Sequence, residues 1–260
     1  MSAVATQISL ITACFNRRAQ IGYCLRSIEE QDHPHIEHVV IDGGSTDGTL
    51  DVLAASQHRV DRLVSEPDSG IYDALNKGLR LATGDVVGFL HSDDVFAADD
   101  VLSSVAAAFE DPSIHGVYGD LEYVDRDNPD RCIRYWQAGL CGPSGLQNGW
   151  MPPHPTLFVR RSVYEAIGEF QTEYRIAADY LSILRIFRLP GFRVRYLPRV
   201  ITRMRTGGAS NASFRAILQK SREDWQILRE TGVGGISTLL LKNARKISQL
   251  FSHRSGARHH

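Results

Sequence analysis

An open α/β sheet is the fold class this 260-residue sequence predicts, on three observations. Short β-rich apolar runs alternate, through residue 110, with segments whose apolar residues recur at helical spacing. The runs are apolar along their length, as parallel strands covered on both faces are. Two of them end in acidic turns, Val39-Val40-Ile41-Asp42-Gly43-Gly44-Ser45-Thr46-Asp47-Gly48-Thr49 and His91-Ser92-Asp93-Asp94, which brings carboxylates to the carboxyl edge of the sheet. Two such deliveries suit a nucleotide and its metal side by side, and so an enzyme acting on a nucleotide-activated substrate.

Each element follows from its own residues. Residues 8–15 make the first strand, broken by Asn16-Arg17-Arg18; Ile21, Cys24, Leu25 and Ile28 then mark a helix that stops before His33-Pro34. Residues 38–41 make the second strand, and Ser45 or Thr46 is expected to cap the helix carrying Leu50, Val52 and Leu53. A third strand covers 60–65. Residues 70–82 read as a helix with Ile71, Ala74, Leu75, Gly78 and Leu79 facing in, and 85–90 as the strand running into His91. Residues 101–109 are helical and 116–120 extended. The rhythm then changes: 125–155, rich in Gly, Pro and polar residues, predicts loops with short strands, followed by helices at 162–167 and 179–188 and a strand at 192–197. Two amphipathic helices close the pattern. Phe214, Ile217, Leu218, Trp225 and Leu228 mark one; Ile236, Leu239, Leu240, Ile247, Leu250 and Phe251 mark the other, with Lys242, Arg245 and Lys246 on its other faces.

Composition narrows the classes. With 43% hydrophobic and 23% charged residues the chain can bury a full core, which excludes global disorder. The four cysteines (Cys14, Cys24, Cys132, Cys141) form no Cys-x-x-Cys pair, so free thiols in a reducing, cytoplasmic setting are expected rather than zinc. No secretory signal and no bilayer-spanning apolar run is visible. The net charge of −1 hides an asymmetry: residues 191–260 hold 14 Lys/Arg against 3 Asp/Glu, and the remainder is acidic. An acidic body suits metal and phosphate handling; a basic tail suits an anionic surface, or is simply a solvated exterior.

Three segments carry chemistry. The Asp42 turn has the glycines that let backbone approach a ligand, and its carboxylate either accepts from a ribose or base or organises a tight turn. Its spacing fits neither a dinucleotide fingerprint nor a P-loop. The adjacent carboxylates Asp93-Asp94 repel unless a cation sits between them, and magnesium or manganese is held by one or two carboxylates plus substrate phosphates; the alternative is a helix cap. Asp73 and Lys77, four apart, form a surface ion pair or a lysine reaching toward phosphate.

Together these segments, in this order, resemble the family 2 glycosyltransferases of GT-A fold. Thr12-Ala13-Cys14-Phe15-Asn16-Arg17 is similar to the family's first nucleotide-contacting element and the Asp42 turn to its second. Gly70-Ile71-Tyr72-Asp73-Ala74-Leu75-Asn76-Lys77-Gly78 and Ala82-Thr83-Gly84-Asp85 are similar to the helix and strand leading to its metal motif. The likeness covers about residues 8–210. It implies a Rossmann-like open mixed sheet with flanking helices, and a nucleoside diphosphate sugar, often UDP-linked, contacted by Thr12, Ala13, Asn16, Asp42, Asp73, Lys77, Ser92 and Asp93. It also implies a divalent ion, Mn2+ or Mg2+, at Asp93 and Asp94. His91 stands where the family carries the first Asp of its Asp-x-Asp.

Pro153-His154-Pro155-Thr156-Leu157-Phe158-Val159-Arg160-Arg161 resembles the segment lining the acceptor pocket, and Asp179 the family's catalytic base, set just before a helix. His154 and Arg205 are the acceptor-side candidates, and Gly207-Gly208-Ala209-Ser210 resembles a mobile segment after the last strand. The implied organisation is a catalytic domain at 1–210, with a nucleotide-sugar half (about 1–120) and an acceptor half (about 121–210), and a basic helical extension at 211–260. The implied reaction is inverting transfer of a sugar to a hydroxyl of a glycan or lipid-linked acceptor in surface polysaccharide or glycolipid synthesis. The final helix suits peripheral attachment to an anionic membrane at the inner face of the cell membrane, packing on the body, or a homodimer. Two rivals stand beside this: a sugar-phosphate nucleotidyltransferase, set back by the lack of a Gly-rich triphosphate loop, and a non-catalytic nucleotide-sugar-binding protein. Nucleic acid is not expected as a partner, because no aromatic-interleaved basic motif occurs.

Overall fold

The computed structural model describes residues 6–56, 58, 60–126, 128–140, 144–206 and 214–248. Within them the apolar runs become strands β1 (Ile8–Cys14), β2 (Ile36–Asp42), β3 (Arg62–Ser65) and β4 (Val86–Phe89), the first, second and fourth buried almost throughout. Helices α1 (Ile21–Glu29), α2 (Thr49–Ala55) and α3 (Ile71–Leu81) connect them. A turn at 91–93 leads into the short β5 (Asp94–Phe96), then α4 (Val101–Phe109) and β6 (Gly116–Val124). The second half adds β7 (Cys132–Trp136), α5 (Ser144–Gln147), a 3₁₀ turn (His154–Thr156), β8 (Phe158–Arg160), α6 (Arg161–Ile167), α7 (Ala178–Phe187) and β9 (Val194–Arg205). Helices α8 (Phe214–Thr231) and α9 (Ile236–Ser248) complete it.

The strands make one mixed sheet in the order β3-β2-β1-β4-β8-β6-β9-β5, with β7 on β6. β1, β2, β3 and β4 run parallel; β8 is antiparallel to β4 and β6, so β6 and its parallel neighbour β9 point the same way as β4. The carboxyl ends of six strands therefore share one edge, where ligands of open α/β sheets bind. β9 is longer than the predicted 192–197. It continues past a register irregularity opposite Tyr118–Leu121 to reach β5, and so carries Met204 and Arg205 to that edge.

Apolar residues fill both faces of the sheet. One cluster joins the sheet to α3, α6 and α7, the other to α1 and α4. α3 rides close on β1: a Cβ at Gly78 would stand 2.4 Å from Ile11 Cγ2, so only glycine allows this approach. Its inward face is Tyr72, Ala74, Leu75, Asn76 and Gly78; Ile71, expected inside, is 44% exposed.

The C-terminal helices depart most from expectation. Over its described residues, the segment expected as an extension from 211 docks into the main core, where Ile227, Leu228 and Val233 join the cluster around α7. The stripes are only partly turned inward: Leu228 is in the core and Leu239 packs against it, but Ile217 and Leu218 on α8, and Ile236, Leu240 and Leu241 on α9, are exposed, whereas Asp224, Thr238 and Lys242 are buried. Periodicity located the helices but only part of their inner face, because polar pairs share it. Lys242 Nζ lies 2.7 Å from Asp224 Oδ1, and Thr238 donates to the Gln147 carbonyl at 2.7 Å. α9 presses on Gly149 (φ +69°), where a Cβ would come within 2.4 Å of the Lys242 backbone nitrogen. No helix among the described residues is long and apolar enough to cross a membrane. Cys14 and Cys24 are buried thiols; Cys141, Leu250, Phe251 and the 207–210 segment lie outside the described residues.

Candidate active site

At the β1 and β2 ends the expected nucleotide residues meet, in roles set by burial. Asp42 is fully buried and its carboxylate accepts from Gly44 N (3.1 Å), Ser45 N (2.9 Å) and Ser65 Oγ (2.7 Å), as well as from the Ser45 hydroxyl. Burial works against its charge, but these donors outweigh it and hold the carboxyl below its ordinary range. Asp42 therefore builds the turn. Asn16, in the left-handed region at φ 52°, fastens that turn to β1: its Oδ1 accepts Thr46 N at 2.9 Å and its own N–H donates to Ser45 Oγ at 2.8 Å. Thr12 is fully buried, its hydroxyl donated to the Leu90 carbonyl (2.7 Å) and paired with His38 Nε2 (2.9 Å); Ala13 is buried too. The predicted capping by Ser45 or Thr46 is replaced. Asp47 Oδ1 accepts the Thr49 N–H at 2.9 Å, and Gly48 precedes α2 at φ +92°.

The residue that sequence reasoning missed here is Phe15. It is 54% exposed just past β1, its ring beside Gly43, where a nucleobase could stack. An exposed aromatic ending an otherwise buried strand was the available signal. Lys77 is engaged by Glu66 (2.8 Å) and the Pro67 carbonyl (3.2 Å), with Asp73 at 3.8 Å; Asp73 also accepts the Ser69 N–H at 3.0 Å.

At the turn between β4 and β5 the two carboxylates part. Asp93 is half-buried, whereas Asp94 on β5 is fully buried and its oxygens find no partner among the described residues. Burial, reinforced by the Asp93 charge, pushes the Asp94 carboxyl well up from its ordinary range. Of the two carboxylates expected at the metal, Asp93 is the more accessible and Asp94 the more enclosed. Ser92 is also buried.

Beyond this turn opens a cleft of about 310 Å³, walled by α3, the β6–β7 hairpin, the 3₁₀ turn and the two C-terminal helices. His91, His154 and Asp179 line it. Asp179 is half-buried in the first turn of α7, a position favoured for a carboxylate, and accepts the Tyr72 hydroxyl at 3.1 Å. Burial would raise its pKa, but the Lys220 and Lys242 ammonium groups around it hold the carboxyl below its ordinary range. The end of the α6–α7 connection ahead of it is gripped by Glu223 of α8, whose carboxylate accepts Arg175 N (3.2 Å), Ile176 N (2.9 Å) and Ala177 N (2.9 Å). His154 stacks on Phe89 with ring centres 5.1 Å apart; burial lowers its pKa to about 4, so it is neutral. Arg205 does not reach the cleft as predicted: its guanidinium lies 4.3 Å from the Tyr23 ring centre, over α1. Lys220, Glu223 and Lys242, from helices expected to lie apart, are the site residues the sequence did not reveal.

A sheet of this order, with a cleft and a catalytic-type carboxylate beyond its parallel edge, is the GT-A class of fold. Two solved structures share it: a mannosyltransferase from Pyrobaculum calidifontis in complex with GDP-Man and Mn2+ (TM-score 0.67, 21% identity, 94% of this chain and 70% of that one) and Staphylococcus aureus TarS 1–349 in complex with UDP-GlcNAc (TM-score 0.67, 18% identity, 93% and 73%). In sequence, the chain is 33% identical over 220 residues to a PGL/p-HBAD biosynthesis glycosyltransferase of Mycobacterium tuberculosis, covering 80% of each. It is 35% identical over 188 residues to an uncharacterised glycosyltransferase of the same species, covering 70% of this chain and 69% of the other. The profile of Glycosyl transferase family 2 matches residues 9–168, and the chain belongs to that family. It is a glycosyltransferase.

Proposed function

We propose that the protein moves a sugar, with inversion, from a nucleoside diphosphate sugar, a UDP-sugar being the expected donor, to a hydroxyl of a glycan or lipid-linked acceptor, with Asp179 as the general base.

 The observation that carries this is the setting of Asp179: a half-buried carboxylate on the cleft wall, oriented by the Tyr72 hydroxyl and kept ionised by nearby cations. Such a group can take the acceptor proton as the hydroxyl oxygen attacks the anomeric carbon from the face opposite the leaving diphosphate. Tyr72 and the Glu223-bound turn hold the carboxylate in place; neutral His154 and the Phe89 ring beneath it keep the floor of the cleft dry.

The chemistry of the Asp93 turn fits a divalent ion. One accessible carboxylate, with no cluster of three or more ligating side chains among the described residues, is what Mg2+ or Mn2+ uses when substrate phosphates complete its shell. When bound, such an ion offsets charge on the departing diphosphate. The outward apolar residues of α9 (Ile236, Leu240, Leu241), together with the basic C-terminal segment, favour work at an anionic membrane face.

The test is calorimetric titration with UDP, GDP and their sugars, with and without Mn2+. The reading expects one nucleotide class to bind at least tenfold tighter with the metal, and Asp93→Asn to remove that gain while leaving the metal-free affinity intact. Binding of a nucleoside triphosphate with a sugar phosphate, and of no diphosphate sugar, would refute it.

A further inference from the structure

The cleft beside Asp179 holds more positive charge than a neutral acceptor would need. Lys220 lines it, and among the described residues its ammonium has no ion-pair partner. Its neighbour Lys242 is, by contrast, bound to Asp224 at 2.7 Å. Arg175, exposed, lines the same cleft, where Asp179 is the single carboxylate among the described lining residues. Asp179 faces Lys220 and offsets part of its charge, but the described lining still presents more cations than carboxylates, and a ligand that brings its own negative charge completes the balance.

The surface around this charge is apolar. Ile71 lines the cleft and is 44% exposed, and Ile217, 51% exposed, lies three residues before Lys220 on the same side of α8. An anion seat next to exposed aliphatic side chains matches a molecule that carries both features.

We propose that the acceptor is a phosphate-bearing amphiphile, with its phosphate oxygens on Lys220, Arg175 beside them, and its apolar part crossing Ile71 and Ile217. This rests on the reading of Asp179 as the base. In the reaction the acceptor oxygen forms its bond to the anomeric carbon while the bond from that carbon to the diphosphate oxygen breaks. The electron pair leaves with the nucleoside diphosphate, the hydroxyl proton passes to Asp179, and the acceptor phosphate is unchanged.

Binding measurements on the full chain, which need no turnover, test the seat. Decyl phosphate, decyl glucoside and inorganic phosphate would be titrated below micelle-forming concentrations into the wild type, Lys220→Met and Lys220→Arg, with UDP and GDP titrated in parallel. The proposal expects decyl phosphate to bind at least tenfold tighter than either other probe. It expects Lys220→Met to remove that preference, Lys220→Arg to keep it within a few-fold, and nucleotide affinity to stay unchanged in both. Three results would overturn it: loss of nucleotide diphosphate affinity in Lys220→Met with decyl phosphate unaffected, which gives the lysine to the donor; inorganic phosphate binding as tightly as decyl phosphate, which removes the amphiphile; or decyl glucoside matching decyl phosphate, which removes the anion. Failure of the base reading is separate, since it would appear as retained turnover in Asp179→Asn with the decyl phosphate preference intact.

Discussion

Replacing Lys242 by methionine tests how the C-terminal helices are held. The Lys242 ammonium is 2.7 Å from Asp224 Oδ1, the two side chains are 3% and 2% exposed, and the ammonium also lies 3.1 Å from the Tyr180 ring centre. At an effective dielectric of about 20 the gross attraction at this separation is about 6 kcal/mol, and desolvation of two ions offsets most of it. The intact pair thus contributes little net stability, but removing one partner leaves a buried charge uncompensated. Lys242→Met is expected to cost about 3–5 kcal/mol, and Asp224→Leu a similar amount. The double variant, which leaves no charge behind, should recover most of the loss. Urea unfolding at pH 7 of the four proteins reads this directly as a double-mutant cycle. A Lys242→Met protein within about 1 kcal/mol of wild type, or a double variant no more stable than the worse single one, would refute the reasoning.

Three further outcomes follow from the site. Asp179→Asn should lower kcat by a factor of about 10² or more, with nucleotide binding and melting temperature nearly unchanged, as steady-state kinetics and calorimetry would report. Glu223→Ala, which strips an acceptor from three backbone N–H groups, should lower kcat more than it raises the donor KM and cost about 2–4 kcal/mol; Glu223→Gln, which keeps one carbonyl oxygen, should restore part of both. His154 has its pKa lowered to about 4 in the folded protein, so between that value and the ordinary 6.5 the unfolded chain binds a proton that the folded chain refuses. Stability should therefore fall as pH drops through this window, by up to about 3 kcal/mol, and His154→Phe, which keeps the stack on Phe89, should flatten that slope in urea midpoints measured at pH 7, 5.5 and 4.5.

The strands were legible because a parallel strand buried on both faces has to be apolar along its length, as 8–14 and 36–42 are. Side-chain direction was less legible. Thr12 and Asp42 have the residue types of ligand contacts, but their hydroxyl and carboxylate are used by Leu90, Ser45 and Ser65, and nothing in local spacing shows such long-range partners. The same limit hid the inner face of α8 and α9. An apolar stripe normally marks the buried side of a helix, and here Lys242 with Asp224, and Glu223 with the turn before α7, share that side with Leu228 and Leu239.

That arrangement has a consequence for how the enzyme is made. Synthesis runs from the amino end, so the sheet, the Asp93 turn and Asp179 leave the ribosome before α8 and α9 do. Until those helices dock, the turn bearing Asp179 lacks its Glu223 clasp and the cleft lacks the wall formed by Lys220 and Lys242. With Asp179 as the proposed base, a nascent chain can therefore fold its sheet early yet remain unable to transfer sugar until the last helices dock.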